Sequence, residues 1–353
     1  HNSFGDPDYG YLLNSLHILQ GKTPVHIDHP GTTLQLWGAV VIRVVYFFQA
    51  TSHDLVDAVL AGPYVYMYAI SYTLAVGLAG AVLALGAVLV AQGNRWWVVL
   101  MAQVSPLLLP SAWDYLVHVS AEVVVLTFAV LIAALLLQRG ERERMSRNSC
   151  FALGALLGLG VATKLNFLPF LLLLFFARGR KNFFAGLAGA LVSFLLATIP
   201  IWSAYPRVYL WILGLFQAGG SYGMPLPRAV STQELLVSNF LYLWESSLPF
   251  FVLLLLFPLG LLASHFTNDA ERRELRLKLL LGAVSVGLLL ILVLKQVNPR
   301  YLLPSVVVWA WIIPALLNLH LPRIAKVFVA GTVALLLGFS VSPGFSLWHR
   351  VST

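Results

Sequence analysis

LQLWGAVVIRVVYFFQA, residues 34–50, is apolar enough to cross a membrane, and whether it crosses decides on which side every later loop lies. Arg43 stands near its middle. A cation at a bilayer centre is costly, whereas on a helix lying along the interface its aliphatic stem can follow the apolar surface and leave the charge at the headgroups. The stretch is therefore expected to be a juxtamembrane helix, and not a span.

The chain around it has 353 residues, 59% hydrophobic and 10% charged, which places it among polytopic membrane proteins. Only helices and closed barrels satisfy their backbone in lipid, and the long apolar runs read as helices, so the expected class is all-α, a single transmembrane domain over 1–353. Ten spans are expected, at 63–91, 96–110, 115–137, 149–163, 167–177, 183–202, 247–264, 279–294, 302–319 and 325–341. The connections GNR, QRGERERMSRN, ARGRKN, SHFTNDAERRELRLK and LPRIAK hold 14 of the 22 Lys and Arg residues. By the positive-inside rule they face the cytoplasm, which accounts for the net charge of +8 without nucleic acid. Residues 1–62, 111–114, 164–166, 203–246, 295–301 and the C-terminus then lie outside. A loop that opens outside needs a helix to carry it there, so a first transmembrane helix is expected before His1. The single cysteine, Cys150, excludes a disulfide framework and a cysteine-rich metal site, and there is no Walker loop, GxGxxG or HExxH.

Two segments break the regular pattern. The spans 149–163 and 167–177 are too short to cross fully and are joined by TKLN, which points to a hairpin whose tip, Lys164 and Asn166, lies in a buried polar cavity. Residues 203–246 mix aromatics, glycines and prolines without helical period, as a lid or substrate-lining loop would, or an ordinary interfacial loop with an aromatic belt.

The outer side gathers the polar residues that a membrane enzyme needs. Three of the 14 acidic residues, Asp6, Asp8 and Asp28, stand in the first 35 positions with four histidines. Asp114, His118 and Glu122 fall at i, i+4 and i+8, so one helix over 115–137 would present them on one face of a second polar cavity. Arg300 follows Pro299, beside Tyr301 and near Lys295; arginine offers a phosphate paired donors and lysine a point charge. Carboxylates beside cations suit removal of a group from a phosphate-bearing lipid: the carboxylate accepts a proton from the acceptor hydroxyl, and the cations stabilise the departing phosphate. Each residue also has a structural reading. Asp6 or Asp8 could cap the helix beginning near Tyr9, His118 and Glu122 could bond to one another between helices, and Arg300 could snorkel to headgroups.

In order along the chain, GDPDYGY (5–11), DHPG (28–31), SPLLLPSAWDYLVHVSAE (105–122), GLGVATKLNFLPF (158–170) and NPRYLLP (298–304) resemble the motifs of GT-C glycosyltransferases, the membrane class that includes protein O-mannosyltransferases and the lipid A aminoarabinose transferase. The resemblance implies a GT-C fold with an external catalytic loop over 1–62. It implies Asp6 or Asp8 as catalytic base, Lys164 and Arg300 as phosphate binders with Tyr301, Lys295 and Asn166 beside them, and Asp28 with His29 as a carboxylate and cation or metal-ligand pair. His29 stands where a lysine is common and Gly31 replaces a second proline; no cofactor is certain, and a divalent metal is the open alternative. The implied partners are a polyprenyl-phosphate sugar donor, a lipid, glycan or protein acceptor, and membrane lipids, at the external or periplasmic side of a multi-pass protein of the bacterial inner membrane. The rival readings are a transporter or flippase of a lipid-linked saccharide, or a lipid-linked-oligosaccharide polymerase or ligase.

Overall fold

The computed structural model describes residues 7–27, 30–49, 53–138, 145–217, 232–318 and 323–341. Among them every regular element is helical. The chain opens with α1 (Asp8–Leu19), α2 (Thr32–Gln49) and the short α3 (Leu55–Ala61), then runs through α4 (Pro63–Ala91), α5 (Trp96–Val104), α6 (Pro110–Tyr115) and α7 (Ala121–Leu137). A tightly packed pair follows, α8 (Arg147–Thr163) and α9 (Arg180–Ala197), and then α10 (Tyr205–Gln217), α11 (Thr232–Ser246), α12 (Leu248–Leu254) and α13 (Leu256–Ala263). The last three are α14 (Asp269–Lys295), α15 (Val306–Asn318) and α16 (Arg323–Val341).

Four continuous helical stretches among the described residues are long and apolar enough to cross a membrane: Pro63–Ala91, Leu248–Phe266, Glu271–Lys295 and Pro299–Asn318. A fifth is made if Arg180–Ala197 and Ile199–Leu215, bent by 74°, count as one. The other expected spans fall on shorter apolar helices, Trp96–Leu107, Ala121–Leu137, Leu165–Ala177 and Val329–Gly338, or on α8. Residues 34–49 lie in α2, helical as expected, and α2 is not among the helices that meet the membrane-crossing length and apolarity. Its Leu34, Gly38, Val41 and Ile42 are buried, while Val40, Arg43, Val44, Phe47 and Phe48 are exposed, a two-sided helix.

The centre of the bundle is α7, buried all round except for a few positions and packed by α4, α8 and α15. A helix apolar on every side is covered either by neighbours or by lipid, and α7 is covered by neighbours. Two ends of the bundle are distinguished by what meets there. At one, Gln92 bonds to the carbonyl of Leu137 and Asn318 to Asn94, joining the C-termini of α4, α7 and α15. The N-termini of α7 and of the segment leading into α15 lie at the other, with the C-terminus of α8.

The helix α8 passes α9 at backbone contact. A Cβ on Gly154 would overlap the carbonyl of Gly186, and one on Gly158 the carbonyl of Ala190; a Cβ on Gly189 would strike the carbonyl of Phe151. Small residues let two helices approach this closely where lipid supplies no hydrophobic drive. Ser193 adds a hydrogen bond of 2.8 Å to the carbonyl of Ala155.

Between this pair the chain returns as a 3₁₀ helix, Leu165–Ala177, over 13 residues. Such runs are uncommon beyond a turn or so, and this one has a cause: Pro169 cannot donate to an α-helical ladder, and Phe167, Phe170, Leu173 and Phe176 are all buried. Their spacing of three puts them in one straight line only if the helix has three residues per turn. At about 2.0 Å per residue the segment reaches about 26 Å, the same as the 17 residues of α8 at about 1.5 Å. Both arms of the hairpin are thus equal in length and stay short of the roughly 30 Å of a hydrocarbon core, in keeping with the expected short hairpin.

Residues 203–246 are also more regular than expected. The ends of the segment are α10 and α11, and its glycines and prolines concentrate in 218–231, which lies outside the described residues. The buried face of α10 packs Val208 with Ile201, Ala204 and Ile27, and Thr23 bonds Ser203 at 2.8 Å, so this segment leans on the first loop.

The polar caps are local and testable. Asn268 accepts the Glu271 amide at 3.0 Å and starts α14. Asn268→Ala is expected to lower stability by about 1 kcal/mol, read as a small drop in the thermal midpoint in one fixed detergent.

Candidate functional site

Asp8 is the first piece. It opens α1 but does not cap it: Pro7 is the N-cap, and no side chain bonds there. The Asp8 carboxylate instead reaches a segment more than a hundred residues away, where Oδ1 accepts the backbone N–H of Val119 at 2.6 Å and Oδ2 lies 3.1 Å from Nδ1 of His118. The residue is only 1% exposed, against 31% for the His118 side chain.

That contact overturns the single helical face expected for Asp114, His118 and Glu122. The helix is broken: α6 ends at Tyr115, residues 116–120 turn, Ser120 is extended, and α7 starts at Ala121. The Val119 amide, which a continuous helix would have satisfied internally, is satisfied by Asp8, so the break leaves that donor paired. Asp114 is exposed at the end of α6, and His118 pairs with Asp8.

Glu122, in the first turn of α7, is 2% exposed and lies between two cations. Its Oε1 receives the ammonium of Lys164 and lies 3.4 Å from Nε of Arg300. Lys164 ends α8 in extended conformation, which turns the chain into the 3₁₀ helix and aims the side chain inward, where it is 5% exposed. Arg300 enters from Pro299–Ser305, a 3₁₀ turn started by Asn298, whose side chain accepts the Arg300 amide at 3.2 Å. Buried charges persist only when paired, and among the described residues the Glu122 carboxylate serves two cations, a net positive set. Arg300, with 23% of its side chain exposed, carries that surplus toward the open side.

Tyrosines line the cations. The ring of buried Tyr301 lies 4.9 Å from the Lys164 ammonium and 5.5 Å from the Arg300 guanidinium carbon, cation–π distances that favour both charges. Asn166 donates to the Tyr301 carbonyl at 2.9 Å and fixes the hairpin tip to this turn. Its buried Oδ1 has no hydrogen-bond partner among the described residues. Tyr115 links the two halves: its ring centroid is 6.5 Å from that of His118 and 5.5 Å from the Arg300 guanidinium carbon, and its hydroxyl is 3.4 Å from an Arg300 nitrogen.

The first loop closes on the same place. Thr33, in the first turn of α2, bonds Thr163, the neighbour of Lys164, at 2.6 Å. Gly31 just ahead of it has φ of 63°, a left-handed conformation closed to proline, whose ring holds φ near −65°. The glycine in place of a second proline is thus required by the path of this loop.

Of the residues singled out in the sequence, Asp8, His118, Glu122, Lys164, Asn166, Arg300 and Tyr301 come together. Lys295 is half-buried at the C-terminus of α14 and is not joined to Glu122 by these pairs. Asp6, Asp28 and His29 lie outside the described residues. Among the described residues no group of three or more His, Cys, Asp or Glu side chains could hold a metal. Tyr115, the Val119 amide and the Thr33–Thr163 bond were not singled out from sequence; only Tyr115 left a trace there, in the aromatic and acidic run SAWDYLVH. No family model, curated protein or solved structure matches the chain.

Proposed function

We propose that the protein is a membrane glycosyltransferase of GT-C type that moves a sugar from a polyprenyl-phosphate donor to an acceptor hydroxyl or amine, with inversion, on the outer side of the membrane. The observation that carries this reading is the pairing of Glu122 with both Lys164 and Arg300, which leaves an accessible guanidinium at a positively charged, partly buried site. The donor phosphate would meet Arg300 directly, with Lys164 behind it. Charge that builds on the leaving phosphate as the anomeric C–O bond breaks is stabilised by these fixed cations, more so in a site shielded from water. Tyr115, between the cations and the Asp8–His118 pair, offers an aromatic face to the sugar. The acceptor proton leaves at the Asp8–His118 end. Attack from one side with departure from the other is a single displacement, hence inversion.

The test is release of polyprenyl phosphate by purified protein given a panel of polyprenyl-phosphate sugars, with water or a simple alcohol as acceptor. Arg300→Gln is expected to lower kcat/KM for the cleaved donor by roughly 10²-fold, as loss of one fixed donor to a developing oxyanion does. A wild type that cleaves none of the panel, or an Arg300→Gln protein that matches it, removes the basis for this reading.

A further inference from the structure

On this glycosyl-transfer reading, the buried carboxylate of Asp8 would be the natural proton acceptor, but its geometry fits another role. One oxygen accepts the Val119 amide at 2.6 Å, the other faces Nδ1 of His118 at 3.1 Å, and the residue is 1% exposed. A general base must come within about 2.6–3.2 Å of the hydroxyl it deprotonates, directly or through one water. Asp8 offers almost no surface for that approach, whereas about a third of the His118 side chain is open.

We propose that His118 is the catalytic base and Asp8 its positioning residue. With Nδ1–H donating to the Asp8 carboxylate, the neutral imidazole carries its lone pair on Nε2, the tautomer a base needs. The step balances as follows. The acceptor O–H bond breaks and its proton goes to Nε2 of His118. The acceptor oxygen forms a bond to the anomeric carbon, the bond from that carbon to the phosphate oxygen breaks, and its electron pair leaves with the polyprenyl phosphate toward Arg300. The imidazolium so formed is stabilised by the Asp8 carboxylate. Asp8 does a second thing with its other oxygen: by holding the Val119 amide it fixes the turn 116–120 that carries His118 and leads directly into Glu122. The two ends of the reaction are thereby set on one short segment. Among the described residues, the His118 ring meets Asp8 from α1 and Tyr115 from α6, with Arg300 on the far side of Tyr115.

Three variants separate the roles, each assayed for polyprenyl phosphate release with an alcohol acceptor. His118→Ala is expected to lose about 10²–10⁴-fold in kcat with little change in donor KM, and added imidazole is expected to restore part of the rate. Asp8→Asn keeps an oxygen for Val119 but turns a donor toward Nδ1, which forces the proton onto Nε2; kcat is expected to fall by about 10³–10⁴-fold, and imidazole should not restore it. His118→Gln can hold the Asp8 contact yet cannot take a proton, so it should be as slow as His118→Ala; it replaces that variant if the alanine protein is not monodisperse. The ascending limb of the pH–kcat profile should vanish in both histidine variants. If the wild type cleaves the donor and His118→Gln retains its rate, Asp8 or another group is the base and this proposal is wrong while the glycosyl-transfer reading stands. A wild type that cleaves no such donor overturns both.

Discussion

Glu122→Gln should cost about 3–5 kcal/mol of stability, seen as the largest drop in thermal midpoint among single substitutions at the site, measured in one detergent at one pH. The reason is the arithmetic of charge. Glu122 is the carboxylate paired with both Lys164 and Arg300, and Lys164 is almost wholly buried. Glutamine fills the same space and still accepts a hydrogen bond, yet it leaves a buried ammonium beside a guanidinium with no compensating anion. The double variant Glu122→Leu/Lys164→Met should regain most of the loss, since replacing a buried pair by apolar groups of similar volume is often neutral. It should not regain donor cleavage. A Glu122→Gln protein as stable as the wild type would mean that the pair is not formed in the folded protein.

Gly154→Ala should be destabilising by about 3 kcal/mol or more, although alanine is the better helix former. The added methyl would overlap the backbone carbonyl of Gly186, and a backbone cannot swing aside as a side chain can. The helices α8 and α9 would have to separate, carrying Thr163 and Lys164 away from Thr33 and Glu122. Gly80→Ala provides the contrast. Nothing lies within 4 Å of a Cβ there, in the middle of α4, so the same substitution is expected to be neutral or to stabilise by up to about 1 kcal/mol. Equal melting of the two variants would show that α8 and α9 do not pack at backbone contact.

These two sites mark what could and could not be read along the chain. Lys164 and Arg300 stood out as cations beside a polar turn and a proline in an apolar chain, and the structure brings both to Glu122. Arg43 in the middle of an apolar run separated α2 from the spanning helices. Glu122 was picked out, but with the wrong neighbours: local spacing put it in line with His118 and Asp114, and the bond that breaks the helix comes from Asp8, which no local window contains. The 3₁₀ form of 165–177 was not anticipated, although the period-three line of Phe167, Phe170, Leu173 and Phe176 that it buries was present in the sequence. The small-residue contact of α8 with α9 could be seen as glycines, and their partners could not, since closeness to a carbonyl is a property of two helices together.

The chain order of the pieces of this site has a kinetic meaning. Glu122 and Lys164 are 42 positions apart, so their pair can form once α7 and α8 lie side by side, and it is electrically neutral. Arg300 joins Tyr115 across 185 positions. Contacts of such separation form last, because so much loop must be closed first. Glu122 and Lys164 thus balance one another without Arg300, and the second cation comes to that carboxylate only with the segment before α15.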